Sequence, residues 1–453
     1  MSTRQVGWAL GAGASVVLTG WLASAMPYKP AGAWAAVTLS PGWLVYTVLS
    51  EHPTSEPLGW IGRAAVSFGS WIFWALVTWG VIRLASRPRS PSTFRSLIAF
   101  LPLAAGVAHG QAHPPPTVHE LGRGIYLFRT EPYSDVGLDG NVVAVVGARA
   151  VLVFDANGTP AAAESVLVAL RRLTPLPVRY LVLSHWHWDH WYGAEAYARA
   201  FPGLEIIAHE RTRALMDGPA VAFNQPGLDM QLPAHIAEVE RRLTERMQQG
   251  DSGADRLARH LRADQAFLAQ KRAVHHTLPN RTVRDSTDLD LGGRVVQVRH
   301  ADRAITPGDL FLHLPAEGAI ILGDVLINPI TFALFCYPSG WMRTLDAIAV
   351  LDARLLIPGH GDVMQDATIL SATRSLLRRE YDLARALRAR AVAAAAAQDS
   401  VLADQEVRRL RDVLTGGDTS RNDAFALYLV EWYVRRVYQE LDGTLDDTIP
   451  RIP

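Results

Sequence analysis

The stretch "LSHWHWDHWYG", residues 183–193, places three histidines and an aspartate within six positions, as His185, His187, Asp189 and His190. It narrows the range of folds more than any other feature of the chain. The run leading into it, "VRYLVLS", has the apolar, β-branched character of a strand. Extended backbone sends alternate side chains to one side, so His185 and His187 face a common point at the strand end. Asp189 and His190 fall past the bend, before the helical segment "AEAYARAF", and face a second point beside the first. A packed core has no use for so many polar rings at one strand end, whereas a metal centre needs them. Cys336 is the only cysteine, which excludes an internal disulfide framework and any multi-cysteine zinc site. Metal ligands must then be His, Asp or Glu.

The surrounding pattern alternates strands and helices from Thr117 onward. "GIYLFRT", "NVVAVVG" and "AVLVFDA" read as short strands, followed by a helix with Val166, Leu167, Leu170 and Leu173 at helical spacing. Residues 209–279 exceed the length of an ordinary loop and carry two apolar stripes, one of Ile236, Val239, Leu243 and Met247 and one of Leu257, Leu261 and Leu268. They predict a helical hairpin over the site mouth, serving ordinary packing, a dimer contact or substrate selection. Phe332, Phe335, Tyr337 and Trp341 are expected near the site, as an apolar pocket wall or, for some of them, as packing against the hairpin. From Ala367 the chain reads as helices, with Phe425, Leu429, Trp432, Val437 and Leu441 as core positions of the last one.

His-x-His-x-Asp-His at a strand-to-helix junction resembles the signature of the metallo-β-lactamase superfamily. "AIILGD", ending at Asp324, resembles the strand carrying that family's metal-bridging carboxylate; "LLIPGHGD" resembles the turn carrying its final ligand, here His360. The resemblance implies an α/β fold, a four-layer αββα sandwich over residues 117–366 with the helical insertion, followed by C-terminal helices over 367–453. It also implies Zn²⁺, one or two ions per chain. His185, His187 and Asp324 would hold the first, and Asp189, His190, His360 and Asp324 the second. One departure stands out: the family's usual histidine before "TPGD" is here Ile305, which has no donor atom, so the first site lacks one usual ligand while the second is complete. His300, five residues earlier, is a structural residue or a substitute ligand. His209, His275, His276 and His313 read as packing or surface residues.

Imidazoles and carboxylates suit zinc, which makes hydroxide available near neutral pH. Oriented by Asp189 as the catalytic residue, that hydroxide would cleave an ester, thioester, lactone or lactam of a small-molecule substrate, with an anionic group near the scissile bond favoured. A metal-binding or sensing module with weakened turnover, marked by Ile305, is the alternative. Lys and Arg balance Asp and Glu at 44 each, so neither global charge nor any basic aromatic stretch points to nucleic acid. Lys29 and Lys271 are the only lysines, a scarcity read as GC-rich coding bias.

The first 95 residues have another character. Residues 7–26 and 64–82 carry no charge and match the roughly 20 residues of a membrane-spanning helix. Residues 31–50 are also uncharged, but Pro41-Gly42 interrupts them, so an interfacial or re-entrant segment and a third span both stay open. Arg83, Arg87, Arg89 and Arg95 place the following loop in the cytoplasm. Residues 96–108 are a signal-like apolar run, either an anchor or part of a signal peptide whose true start lies later, and "HPPP", residues 113–116, is a linker. This layout predicts a bacterial inner-membrane protein with its catalytic domain facing the periplasm or exterior.

Overall fold

The computed structural model describes residues 113–449, apart from 132 and 134–137. Stretches 7–26, 31–50, 64–82 and 96–108 lie outside them. Among the described residues no helix is long and apolar enough to cross a membrane.

Two mixed sheets form the centre. The first has seven strands in chain order: β1 (Thr117–Gly122), β2 (Ile125–Arg129), β3 (Val142–Val146), β4 (Val151–Phe154), β5 (Val178–Val182), β6 (Glu205–His209) and β7 (Arg281–Val283). β1 to β4 pair antiparallel, and β4 to β7 pair parallel. The second has five: β8 (Ser286–Asp290), β9 (Val295–His300), β10 (Leu310–Leu314), β11 (Ala319–Gly323) and β12 (Leu355–Pro358), of which only β11 and β12 pair parallel.

Both faces of each sheet are covered, and the period of two along the strands sorts their side chains. Val143 and Val145 of β3 pack with Leu152, Val182, Val298, Leu312 and Ile321 between the sheets. Val142 and Ala144, one register step away, pack outward against Val166, Leu167 and Leu170 of helix α1 (Pro160–Leu173). Leu173, expected in that stripe, is exposed at the end of the helix. Short helices α2 (Trp188–Trp191) and α3 (Ala194–Ala200) follow β5.

The insertion between β6 and β7 is helical: α4 (Glu210–Met216), α5 (Pro219–Pro226), α6 (Leu232–Gln248) and α7 (Ala254–Arg272). α6 and α7 pair through Ile236, Val239 and Leu261, flanked by Leu232, Leu243, Leu257 and Leu268. Met247 departs from the predicted stripe: it lies 65% exposed in the last turn of α6, where the chain leaves for the turn. The outer face of the second sheet is covered by α8 (Pro338–Ala349), α9 (Thr368–Ala389), α10 (Ala394–Ala403), α11 (Gln405–Thr415), α12 (Asn422–Phe425) and α13 (Trp432–Leu441). The order helix, sheet, sheet, helix is the four-layer arrangement. Leu441 is partly exposed, unlike Phe425, Leu429, Trp432 and Val437. His113, read as part of a linker, is instead buried, with its Nε2 2.8 Å from the Glu131 carbonyl oxygen.

Candidate metal centre

The candidate ligands sit just past the carboxyl ends of strands from both sheets. β5 delivers His185, His187, Asp189 and His190; β11 delivers Asp324; β12 delivers His360. Asp324 divides its two oxygens between two histidine sets. Its Oδ2 is 3.6 Å from His185 Nε2 and 3.9 Å from His187 Nδ1. Its Oδ1 is 3.4 Å from His190 Nε2 and 3.6 Å from His360 Nε2. Asp189 Oδ2 closes the second set, 3.0 Å from His360 Nε2 and 3.3 Å from His190 Nε2. His185, His187 and Asp324 thus form one group able to hold a metal ion, and Asp189, His190 and His360 another, the donors of each lying within 4.8 Å of one another.

Glycine makes the last approach feasible. A Cβ at Gly359 would lie 2.1 Å from Asp324 Oδ1, and Gly361 turns the chain with φ +81°. Asn141 fixes this turn, its Nδ2 donating to the carbonyls of Pro358 and Gly361.

Protonation on the outer side of the rings suits cation binding. The Ser184 hydroxyl donates to Asp155 Oδ2 at 2.9 Å and lies 2.8 Å from His185 Nδ1, so that nitrogen donates and Nε2 keeps its lone pair. His190 Nδ1 donates to the same Asp155 oxygen at 2.8 Å, again freeing Nε2. His185 Nε2 and Asp324 Oδ1 are buried without a hydrogen-bond partner, which fits donors aimed at a cation. Burial, aided by His187 and His190, holds His185 well below its ordinary pKa and keeps it neutral, as a ligand must be. Burial alone would raise the Asp189 and Asp324 carboxyls, but the histidines facing them, His190 first, hold both well below the usual range. Burial lowers the pKa of His190 in turn, yet Asp324, Asp189 and Asp155 together carry it well above the ordinary value. The field at the centre favours positive charge.

The remaining predicted residues lie elsewhere. Ile305 is wholly buried in the apolar cluster with Ala304, Phe311 and Trp341. His300 does not replace the missing donor: it stacks on His209 with ring centroids 4.0 Å apart and belongs to neither donor group. The physical reason is position, since His300 ends β9 and pairs there with Leu310. His209 caps α4 by accepting from the Arg211 amide, and His313 pairs with Gln297.

The family model of the Metallo-beta-lactamase superfamily matches residues 135–360, a span that contains all six candidate ligands. This chain carries a metallo-β-lactamase superfamily domain. A curated relative is a linear primary-alkylsulfatase of Pseudomonas sp. (strain ATCC 19151), 24% identical over 220 residues, which are 47% of this chain and 39% of the relative. The match therefore spans well under half of that relative's length. Among solved structures, a stereoselective inverting sec-alkylsulfatase from Pseudomonas sp. is 18% identical, covers 75% of this chain and 52% of its own, and superposes with a TM-score of 0.50. A metallo-β-lactamase of Pseudomonas aeruginosa in its mono-zinc form is 12% identical, covering 59% of this chain and 97% of its own at a TM-score of 0.42.

Around the donor groups of this superfamily domain, aromatic rings wall the first one. Trp186 and Phe335 lie 4.5 and 5.1 Å from the His187 ring, and Phe332 lies 6.2 Å away. Tyr337 and Trp341, expected in this wall, are not part of it. The Tyr337 hydroxyl donates toward Asp446 and Asp447, and the Trp341 indole donates to the Val325 carbonyl inside the core. The C-terminal helices support the wall instead: Trp432 and Tyr428 pack on Phe332, and Arg436 donates to the carbonyls of Phe335 and Cys336.

Two residues of the domain escaped the sequence reading. Asp155 stood unmarked at the end of "AVLVFDA". Lys271, whose rarity was itself the signal, places its Nζ 3.5 Å from the Trp188 ring centroid and 4.0 Å from that of Tyr192. That nitrogen is buried with no hydrogen-bond partner, and burial drives its pKa well below the ordinary lysine value against the opposing pull of Asp189 and Asp139.

Proposed function

We propose that the domain is a zinc-dependent hydrolase of an ester-type bond in a small molecule that joins an apolar chain to an anionic group. The observation carrying this reading is the division of Asp324 between two histidine sets, with the lone pairs of His185 and His190 turned inward. When bound by these donors, zinc supplies Lewis acidity and makes water nucleophilic near neutral pH. Asp189, held anionic, orients the attacking water. Asp155 fixes the tautomer of His190 and, through Ser184, that of His185. Phe332, Phe335 and Trp186 exclude bulk water and receive the apolar part, while the buried Lys271 amine beside Trp188 takes up a proton when an anionic part settles next to it. The name of the curated relative brings alkyl sulfate esters into this class beside carboxylic esters, thioesters, lactones and lactams. The uncharged stretches 7–26 and 64–82, with the arginines after them, support attachment to the inner membrane and placement of the domain outside the cytoplasm.

The test is turnover by the zinc-loaded full chain on a panel of these five bond types, each with a short and a long alkyl substituent. Hydrolysis of a long-chain anionic ester, abolished in His360→Ala, is the expected result. Absence of turnover on every member by protein with its metal bound would overturn the proposal.

Ile305 favours a second reading, a metal-binding module with a weakened first site, because the family's usual pattern has a histidine donor at this sequence position, whereas here the side chain is apolar and buried in the core. Ile305→His should raise bound zinc relative to the unmodified chain in a chelator-buffered titration. Unchanged zinc binding in a folded Ile305→His protein would show that the first site is not short of a ligand.

A further inference from the structure

The hairpin of α6 and α7 contains a third convergence of donors, outside the centre described above. His260 and Asp264 are four residues apart on α7 and so share one face. His235 meets them from α6. His235 Nε2 and His260 Nε2 are each 3.3 Å from the same oxygen, Asp264 Oδ2, and all three donors lie within 4.8 Å of one another. Zinc binds imidazole nitrogen and carboxylate oxygen at about 2.0–2.2 Å, and tetrahedral geometry then sets neighbouring donors roughly 3.3–3.5 Å apart. Both spacings to Asp264 already have that length. The carboxylate is fully buried and the His235 Nε2 atom is buried with it, although the side chains of His235 and His260 are 38% and 26% exposed as a whole. Two imidazoles and a carboxylate are donor types that zinc accepts, and three protein donors suffice when a further ligand takes the fourth position.

The hairpin also has only a small apolar core of its own. Its own apolar core has three buried residues, Ile236, Val239 and Leu261, and a fully buried aliphatic side chain contributes only about 1.5–3 kcal/mol. The next turns of α7 carry Phe267 and Lys271 on the same face as His260 and Asp264. Phe267 packs on Trp188 at 5.7 Å and on Tyr133 at 5.4 Å. Whatever fixes the register of α7 against α6 also fixes what these two residues present beside Trp188, and through it beside Asp189.

We propose that His235, His260 and Asp264 form a zinc-class divalent metal site that clips α6 to α7, separate from the centre at Asp324. It requires nothing of the hydrolase reading and stands or fails independently of it.

The experiment counts zinc per full-length chain after equilibration in a chelator-buffered zinc solution, and compares two double variants with the unmodified protein. His235→Gln with His260→Gln changes only partly exposed side chains; it should lose one equivalent and keep the remainder. His187→Gln with His360→Gln weakens the other centre and should still retain one equivalent. In the unmodified protein, chelation should speed proteolytic cutting in the turn 249–253, and zinc should restore protection, whereas the His235→Gln, His260→Gln protein should be cut quickly either way. Equal zinc content in the unmodified and His235→Gln, His260→Gln proteins would show an ordinary interhelical ion pair and overturn the proposal, as would loss of all zinc from folded His187→Gln, His360→Gln protein.

Discussion

Asp155 has no place in either donor group, yet it receives the His190 Nδ1 proton and the Ser184 hydroxyl on one oxygen and the Ser184 amide on the other. Asp155→Ala should lower zinc affinity by about 10–100-fold, the usual effect of removing a partner that orients a ligand. Competition against a chromophoric chelator measures it, and unchanged affinity would remove Asp155 from the machinery. Lys271→Met keeps the length and packing of the side chain but removes the amine. It should raise KM for an anionic ester several-fold while leaving a neutral ester of the same chain length little changed; equal effects on both would mark Lys271 as packing only. The four positions of the His-Asp motif were readable because strand periodicity and one bend suffice to aim them. Asp155 was not: it reaches His190 because β4 lies beside β5, with Phe154 opposite Val182, a pairing that no local pattern in the sequence announces. Lys271 reaches Trp188 only through the packing of an insertion.

At the scale of elements, α9 holds an unusual side chain. Glu380 is fully buried, neither carboxyl oxygen has a hydrogen-bond partner, and burial raises its pKa well above the ordinary value. Glu380→Met, close in volume, should stabilise the protein by about 1–3 kcal/mol, the cost of burying an unsatisfied polar group. Because the folded-state pKa exceeds the unfolded one, the folded chain binds this proton more tightly, and the stability linked to it is lost as pH rises from the unfolded value through the folded one. The gain from Met should therefore grow between pH 4 and pH 8. Urea denaturation of both proteins across that range measures it, and a constant or shrinking difference would contradict the assignment. Helices were legible where an apolar stripe meets a partner along its length, as in Ile236, Val239 and Leu243. The aromatics after Asp324 looked alike in sequence, but Phe332 and Phe335 stay in the loop beside His187 while Trp341 turns inward with α8.

For the whole molecule, the alternation of strand and helix together with the resemblance foretold the layering, and the two sheets do bring β5, β11 and β12 to one edge. What no pattern could supply is which helices lean on that edge, since this follows from long-range packing. The charge layout of residues 7–108 carries a separate expectation. A reporter that is active only outside the cytoplasm, fused after Pro116, should be active, and activity solely from a cytoplasmic reporter at the same point would reverse the placement.

The C-terminal helices hold the aromatic wall by its backbone: Arg436 grips the carbonyls of Phe335 and Cys336, and Trp432 backs Phe332 from behind. None of these residues belongs to either donor group at Asp324. Substitution in this layer should therefore shift the aromatic wall while leaving the six candidate ligands in place. A library confined to residues 425–440 would thus vary the wall from behind, and zinc binding unchanged across its members would show that the wall and the donor groups are separable parts of one polypeptide.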